Sequence, residues 1–163
     1  MKLQHFLLIL IFISSASSLF GQKISADELD ITIGSWTGEM TIYNFDTAKS
    51  ETKTANLFIQ RNNSRDLTMI YRYPSDSENV SQTYLRLKKA GKQIGKYPIT
   101  YKHTDKKGNI TIKTEGNGKI EWQKVKFYYT YIFGPQLIRI KREIHFLEQD
   151  IHIIANDFTF KRT

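Results

Sequence analysis

Residues 110–162 read ITIKTEGNGKIEWQKVKFYYTYIFGPQLIRIKREIHFLEQDIHIIANDFTFKR. Apolar side chains recur at every second position between short clusters of turn residues, the spacing of half-buried strands. Turn chemistry sets the expected pairing. A two-residue turn at Asn117-Gly118 brings Gly116 opposite Lys119, and Thr114, Ile112 and Ile110 opposite Glu121, Gln123 and Val125. Gly134-Pro135 sets Phe133 opposite Gln136, so Tyr131, Tyr129 and Phe127 face Ile138, Ile140 and Arg142. A four-residue turn over 147–150 pairs Phe146 with Ile151, with Ile144, Arg142 and Ile140 facing Ile153, Ala155 and Asp157. Upstream, a turn over 105–108 puts His103 opposite Ile110 and Tyr101 opposite Ile112. All four hairpins agree on one face, and a slip of one residue would reverse every side chain.

The first half follows the same pattern. Pairing Phe45 with Thr52 aligns Trp36, Gly38, Met40 and Ile42 with Ala55, Leu57 and Ile59; Leu67, Met69, Tyr71 and Tyr73 follow, then Thr83, Leu85 and Leu87. Strands are expected over 36–45, 52–61, 67–73, 81–88, 99–104, 109–116, 119–133, 136–146 and 151–162, with a short one near 93–96. A helical lead-in is expected over 25–33, where Ser25 can cap a turn containing Asp27 and Glu28. Sequential antiparallel strands with one apolar face and no helices to cover it close into a barrel or fold into a sandwich, and short hairpins favour the barrel. The fold expected is an all-β antiparallel up-and-down meander closed into a barrel of 8 to 10 strands. Its outer face would carry Thr37, Glu39, Thr41, Lys53, Arg72, Gln82, Arg86, Lys113, Lys124, Lys126, Arg139, Lys141 and Glu143.

Composition bounds the function. The chain has 163 residues, 24 Lys plus Arg against 16 Asp plus Glu, 13% aromatic residues and no Cys. The missing Cys excludes a disulfide framework, a thiolate metal site, a catalytic thiol and the acylated cysteine of a bacterial lipoprotein. Residues 1–21 have the form of a cleaved signal peptide. Lys2 supplies the basic start, residues 6–13 (FLLILIFI) are an apolar run too short to span a bilayer, and small residues lead to a cut between Gly21 and Gln22, with cuts after Ala16 or Ser18 as the alternatives. The expected organisation is a signal over 1–21, a lead-in over 22–33 and one barrel domain over 34–163, secreted or periplasmic.

Gly34-Ser35-Trp36, after a helical lead-in and at the opening of the first strand, resembles the Gly-x-Trp start of the lipocalins and related calycin barrels. Small secreted lipocalin-like proteins of Gram-negative bacteria are similar in plan. The resemblance implies that Trp36 closes the barrel base against a cation from the last strand, Lys161 or Arg162. It also implies a small apolar or amphipathic molecule held inside.

Candidate binding residues follow from the inward face. Arg142, between Ile140 and Ile144, is a cation on an apolar face, and a buried charge needs a partner. That partner is either Asp157, as an internal pair, or the anionic group of a ligand held by the guanidinium fork. Tyr71, Tyr73, Tyr101, Tyr129 and Tyr131, with Phe127 and His103, would line the same space as cavity wall or as barrel filling. His145 and His152 become cross-strand neighbours on the outer face, and two imidazoles are too few for a metal site. No metal and no cofactor is expected, and no triad, paired inward carboxylates or phosphate loop argues for an enzyme. The positive charge is spread over many strands, which argues against nucleic acid. Lysine clusters at 88, 89, 92 and at 102, 106, 107 read as solvated loops or as contacts for anionic surfaces.

Three functions remain in view: a binder of a small hydrophobic or amphipathic molecule, a non-enzymatic interaction or inhibitor module with a solid core, and a small outer-membrane barrel. The many like charges on the polar face, the non-aromatic C-terminus and strands of five to eight residues argue against the last, so no integral membrane insertion is expected. The intact mass and N-terminal sequence of the protein recovered from an exporting cell are expected to give a chain starting at Gln22. A chain retaining residues 1–21 would remove the export reading.

Overall fold

The computed structural model describes residues 22–163, so the leader expected over 1–21 lies outside the described residues. Ten antiparallel strands run up and down in chain order: β1 (Gly34–Asn44), β2 (Lys49–Arg61), β3 (Asp66–Tyr73), β4 (Asp76–Lys88), β5 (Gln93–Ile94), β6 (Tyr97–Thr104), β7 (Ile110–Ile120), β8 (Gln123–Phe133), β9 (Leu137–Phe146) and β10 (Ile151–Arg162). The last pairs with the first, closing a barrel. Most strands run 8 to 13 residues, longer than the five to eight weighed against a membrane span, so strand length does not bear against that reading.

The lead-in is a 3-10 helix over Asp27–Thr32. Ser25 and Glu28 form a reciprocal cap: the Glu28 N–H donates to Ser25 Oγ (3.3 Å) and the Ser25 N–H donates to Glu28 Oε2 (2.9 Å). A threefold turn stacks residues i and i+3. Ala26, Leu29 and Thr32 accordingly make one buried stripe, which plugs the end of the barrel taken here as the lower. Trp36 Nε1 donates to the Thr32 carbonyl (2.8 Å). The Arg162 guanidinium lies 4.3 Å from the Trp36 ring and donates to the carbonyls of Pro135, Ile33 and Ile31. Arg162, not Lys161, is therefore the cation at the base; Lys161 is exposed.

Hairpin registers depart from expectation in an instructive way. The β7–β8 turn falls at Glu121-Trp122, both in the left-handed region, and Asn117 and Gly118 sit within β7 opposite Lys126 and Val125. This register pairs Ile110 with Phe133 and Ile112 with Tyr131, where the Asn-Gly turn would have set Ile112 against Gln123. The apolar gain outweighs two strained turn residues at about 1 kcal/mol each. Similarly, Phe133 pairs with Ile138 around a longer turn, so Arg142 faces Tyr129 and not Phe127. On β1 and β2, Trp36 faces Leu57. Each of these shifts is even, so the inward face survives. Lys53 is different: it pairs with Met40 and belongs to the inner face, exposed at the upper rim.

Two odd steps reverse faces. The β6–β7 loop has five residues, 105–109, because Asp105 accepts from the backbone N–H groups of Lys107 (2.8 Å) and Asn109 (2.9 Å) and holds them in place. Thr104 then pairs with Ile110 and Lys102 with Ile112. Tyr101 and His103 therefore sit on the exposed outer face, while Lys102 turns inward and pairs with Glu28. A bulge at Thr100 restores the alternation for Ile99, which is buried. The second step is a bulge in β10 between Ile154 and Asn156, which makes Asn156 the partner of Arg142 and Phe158 the partner of Ile140.

Burial raises the Glu28 carboxyl, but hydrogen bonds from Lys102 and Ser25 outweigh it and hold the group below its ordinary value. The unfolded chain then binds this proton more readily. The stabilisation is fully present above the unfolded value of about 4.3 and is lost as pH falls through the lower folded value. In urea denaturation Glu28→Gln is expected to lower stability at pH 7 by no more than about 1 kcal/mol, because the pair is partly solvated, and to flatten the loss below about pH 4.5. An unchanged acid limb would count against the Lys102–Glu28 link.

Candidate ligand site between two cores

The inward side chains form two clusters. The larger fills the lower barrel with Trp36, Leu57, Ile59, Leu67, Met69, Ile112, Phe133, Ile138, Phe160 and their neighbours. These side chains are 0–9% exposed, and a void of about 10 Å³ lies between the Leu29 and Thr32 plug and Ile59, Leu67, Met69, Leu85 and Phe133, so this half is closely packed. The smaller cluster joins Val125, Ile144, Phe146 and Ala155 at the upper end of β8, β9 and β10. Between them lies a band of inward residues that are only partly buried: Tyr73, Tyr129, Ile140, Arg142, Asn156 and Phe158.

Arg142 is the charged member of that band. Its Nε is buried and has no hydrogen-bond partner among the described residues. The carboxylate expected to neutralise it is elsewhere: the β10 bulge turns Asp157 outward, where Arg139 binds it in a fork, Nε to Oδ1 at 2.9 Å and Nη2 to Oδ2 at 2.6 Å. The internal Arg142–Asp157 pair expected from the sequence does not form. Beside Arg142, the Tyr129 ring lies 5.3 Å from Tyr97 and 6.0 Å from Tyr131, and Tyr97 lies 6.0 Å from Phe127. Burial pushes the Tyr97 and Tyr129 hydroxyls up, against the pull of Arg142, so both are protonated and able to donate at neutral pH.

The other candidates divide by height and face. Tyr71 and Tyr131 are buried against the lower core, Tyr71 with its ring 6.1 Å from Phe158 and 6.0 Å from Phe160. Burial drives both hydroxyls far above their ordinary value. Tyr73 and Phe127 are at the edge of the band. Tyr101 and His103, expected in the lining, are outside it; Lys113 lies over the Tyr101 ring at 5.5 Å. Tyr97 was not among the candidates because it falls between the strands expected near 93–96 and over 99–104. The signal available was the alternation of Tyr97 with Ile99.

The barrel wall is thin beside this band. β4 pairs with β5 only at Leu87 and Lys88, and β7 pairs with β6 only from Thr114 downward. Among the described residues, the upper part of β4 and residues 115–120 of β7 thus have no strand on their facing edges. Tyr97 covers part of this seam. A Cβ on Gly116 would stand 2.3 Å from Tyr97 Cδ1, so the ring packs where that side chain would be. A second concavity, about 1210 Å³, lies outside the barrel between residues 23–28 and the loops 63–66 and 86–91. Two of its cations are already paired, Arg86 with Asp66 and Lys102 with Glu28.

No family model matches the chain, and no curated protein is significantly similar to it. Gly116→Val is expected to displace Tyr97 and cost about 1–3 kcal/mol in urea denaturation, with greater exposure of the Tyr97 ring. An unchanged midpoint would show that Tyr97 does not close the seam.

Proposed function

We propose that the protein is an exported, lipocalin-like, non-enzymatic carrier that holds a small amphipathic molecule with an anionic head in the band between the two cores. The observation that carries this reading is the buried, unpartnered Nε of Arg142 with Asp157 committed to Arg139 on the outside. A guanidinium left without a carboxylate among tyrosines is a receptor for one: a ligand anion would take the fork while Tyr97 and Tyr129 donate from the side. The apolar tail would lie along Ile140, Phe158 and Tyr73, and the seam under Tyr97 offers entry. The solid lower half supports the rival, an interaction module with a filled barrel. Against membrane insertion stand the outward charges of β7 to β10, Lys126 with Glu115, Lys141 with Glu143 and Arg139 with Asp157, each costly in lipid. The charge spread gives no basis for nucleic-acid binding, and the reading needs no cofactor.

Titration with oleate, read by displacement of 1-anilinonaphthalene-8-sulfonate fluorescence, is expected to show saturable binding. Arg142→Gln should weaken it about 10- to 100-fold, the loss of one charge-assisted contact, while oleyl alcohol binding is little changed. In ligand-free protein Arg142→Met should raise stability by about 1–3 kcal/mol by removing an unsatisfied buried group. Absence of binding to both probes, or equal oleate binding by Arg142→Gln, would favour the filled-barrel rival.

A further inference from the structure

The β9–β10 turn carries a cluster independent of the barrel interior. His145 and His152 are register partners on the outer face, with rings stacked at 3.8 Å and 18°. Asp150, the last residue of the turn, adopts a left-handed φ of 54°. Its Oδ1 lies 2.8 Å from His145 Nε2. The ligand atoms of His145, Asp150 and His152 all lie within 4.8 Å of one another. Two imidazoles alone are too few for a metal; the turn adds the third ligand, which the alternation of the strands did not reveal.

We infer that His145, Asp150 and His152 form a binding site for one divalent transition-metal ion of the zinc class. Two nitrogens and one carboxylate oxygen are the donor set of zinc, copper and nickel; calcium and magnesium favour all-oxygen sites. Bonds of about 2.0–2.1 Å at tetrahedral angles place donors about 3.3 Å apart. His145 Nε2 and Asp150 Oδ1 stand 2.8 Å apart and all three ligand atoms lie within 4.8 Å of one another, so rotations of the three side chains would bring the donors to that spacing. The hairpin is rigid beneath the site, because Ile144, Phe146 and Ala155 anchor its inner face in the upper core. Nearby charges are already balanced: Lys126, across from His145, is paired with Glu115 at 3.2 Å, and Glu143 with Lys141 at 3.0 Å. A bound ion would replace the contact between His145 and Asp150, keep one position open to water, and clip the hairpin tip.

The test is calorimetric titration of zinc chloride into untagged protein in a weakly coordinating buffer, with melting temperature as a second readout. Expected are one zinc per chain and a rise in melting temperature that calcium and magnesium do not produce. His152→Ala, an exposed position whose loss leaves the fold intact by circular dichroism, should weaken zinc binding at least tenfold; Asp150→Asn should weaken it several-fold. His103→Ala, on a strand outside the cluster, should change nothing. Absence of zinc binding, undiminished affinity in His152→Ala, or an equal loss in His103→Ala would overturn the assignment.

Discussion

The seam between β1 and β10 is the interaction on which the rest of the molecule depends. Seven residue pairs, from Trp36 with Arg162 to Ile42 with Asn156, join the two ends of the meander and leave neither as a free edge. The seam is tight at Gly38, where a Cβ would come within 2.0 Å of the Thr159 carbonyl oxygen and collide with fixed backbone. Its lower end is tied off by Arg162, which covers Trp36 and collects carbonyls from the lead-in and from the β8–β9 loop. Without disulfides, this closure and the core that it encloses must supply the stability.

Closure is uneven around the circumference, and that unevenness makes the candidate site. The two-residue β5 joins the halves of the sheet only near the lower end, while Gly95 turns the chain back and Pro98 removes a donor from the short β5–β6 pair. Above this bridge the wall is a packed aromatic, Tyr97 on Gly116. Inside, the lower core is filled and the upper cluster caps the long hairpins, so the band between them stays partly buried and holds Arg142, whose buried Nε has no partner among the described residues.

Much of the fold was legible from spacing alone. Even errors in turn position are harmless to face assignment, since they slide a strand by whole repeats of its pleat. That is why Ile110, Ile112, Tyr129, Ile140 and Ile144 point inward as expected even though three turns lie elsewhere. Odd steps are not harmless, and they occur where a side chain or bulge changes the count by one. The Asp105 loop exchanged His103 and Tyr101 for Lys102, and the β10 bulge exchanged Asp157 for Asn156 and Phe158.

The sequence by itself determined the class of fold, the strand order, most of the inward apolar set and the placement of Arg142 on that set, because period-two alternation and turn residues are local properties. Only the tertiary structure decided the chemistry of the site. Whether a carboxylate meets Arg142 from within, or is held by Arg139 outside, depends on one inserted residue in a strand paired on both sides. Whether two histidines gain a third ligand depends on the backbone conformation at Asp150. Both are settled by how neighbouring strands fit one another, a balance of packing and hydrogen bonding across the sheet that no window along the chain contains.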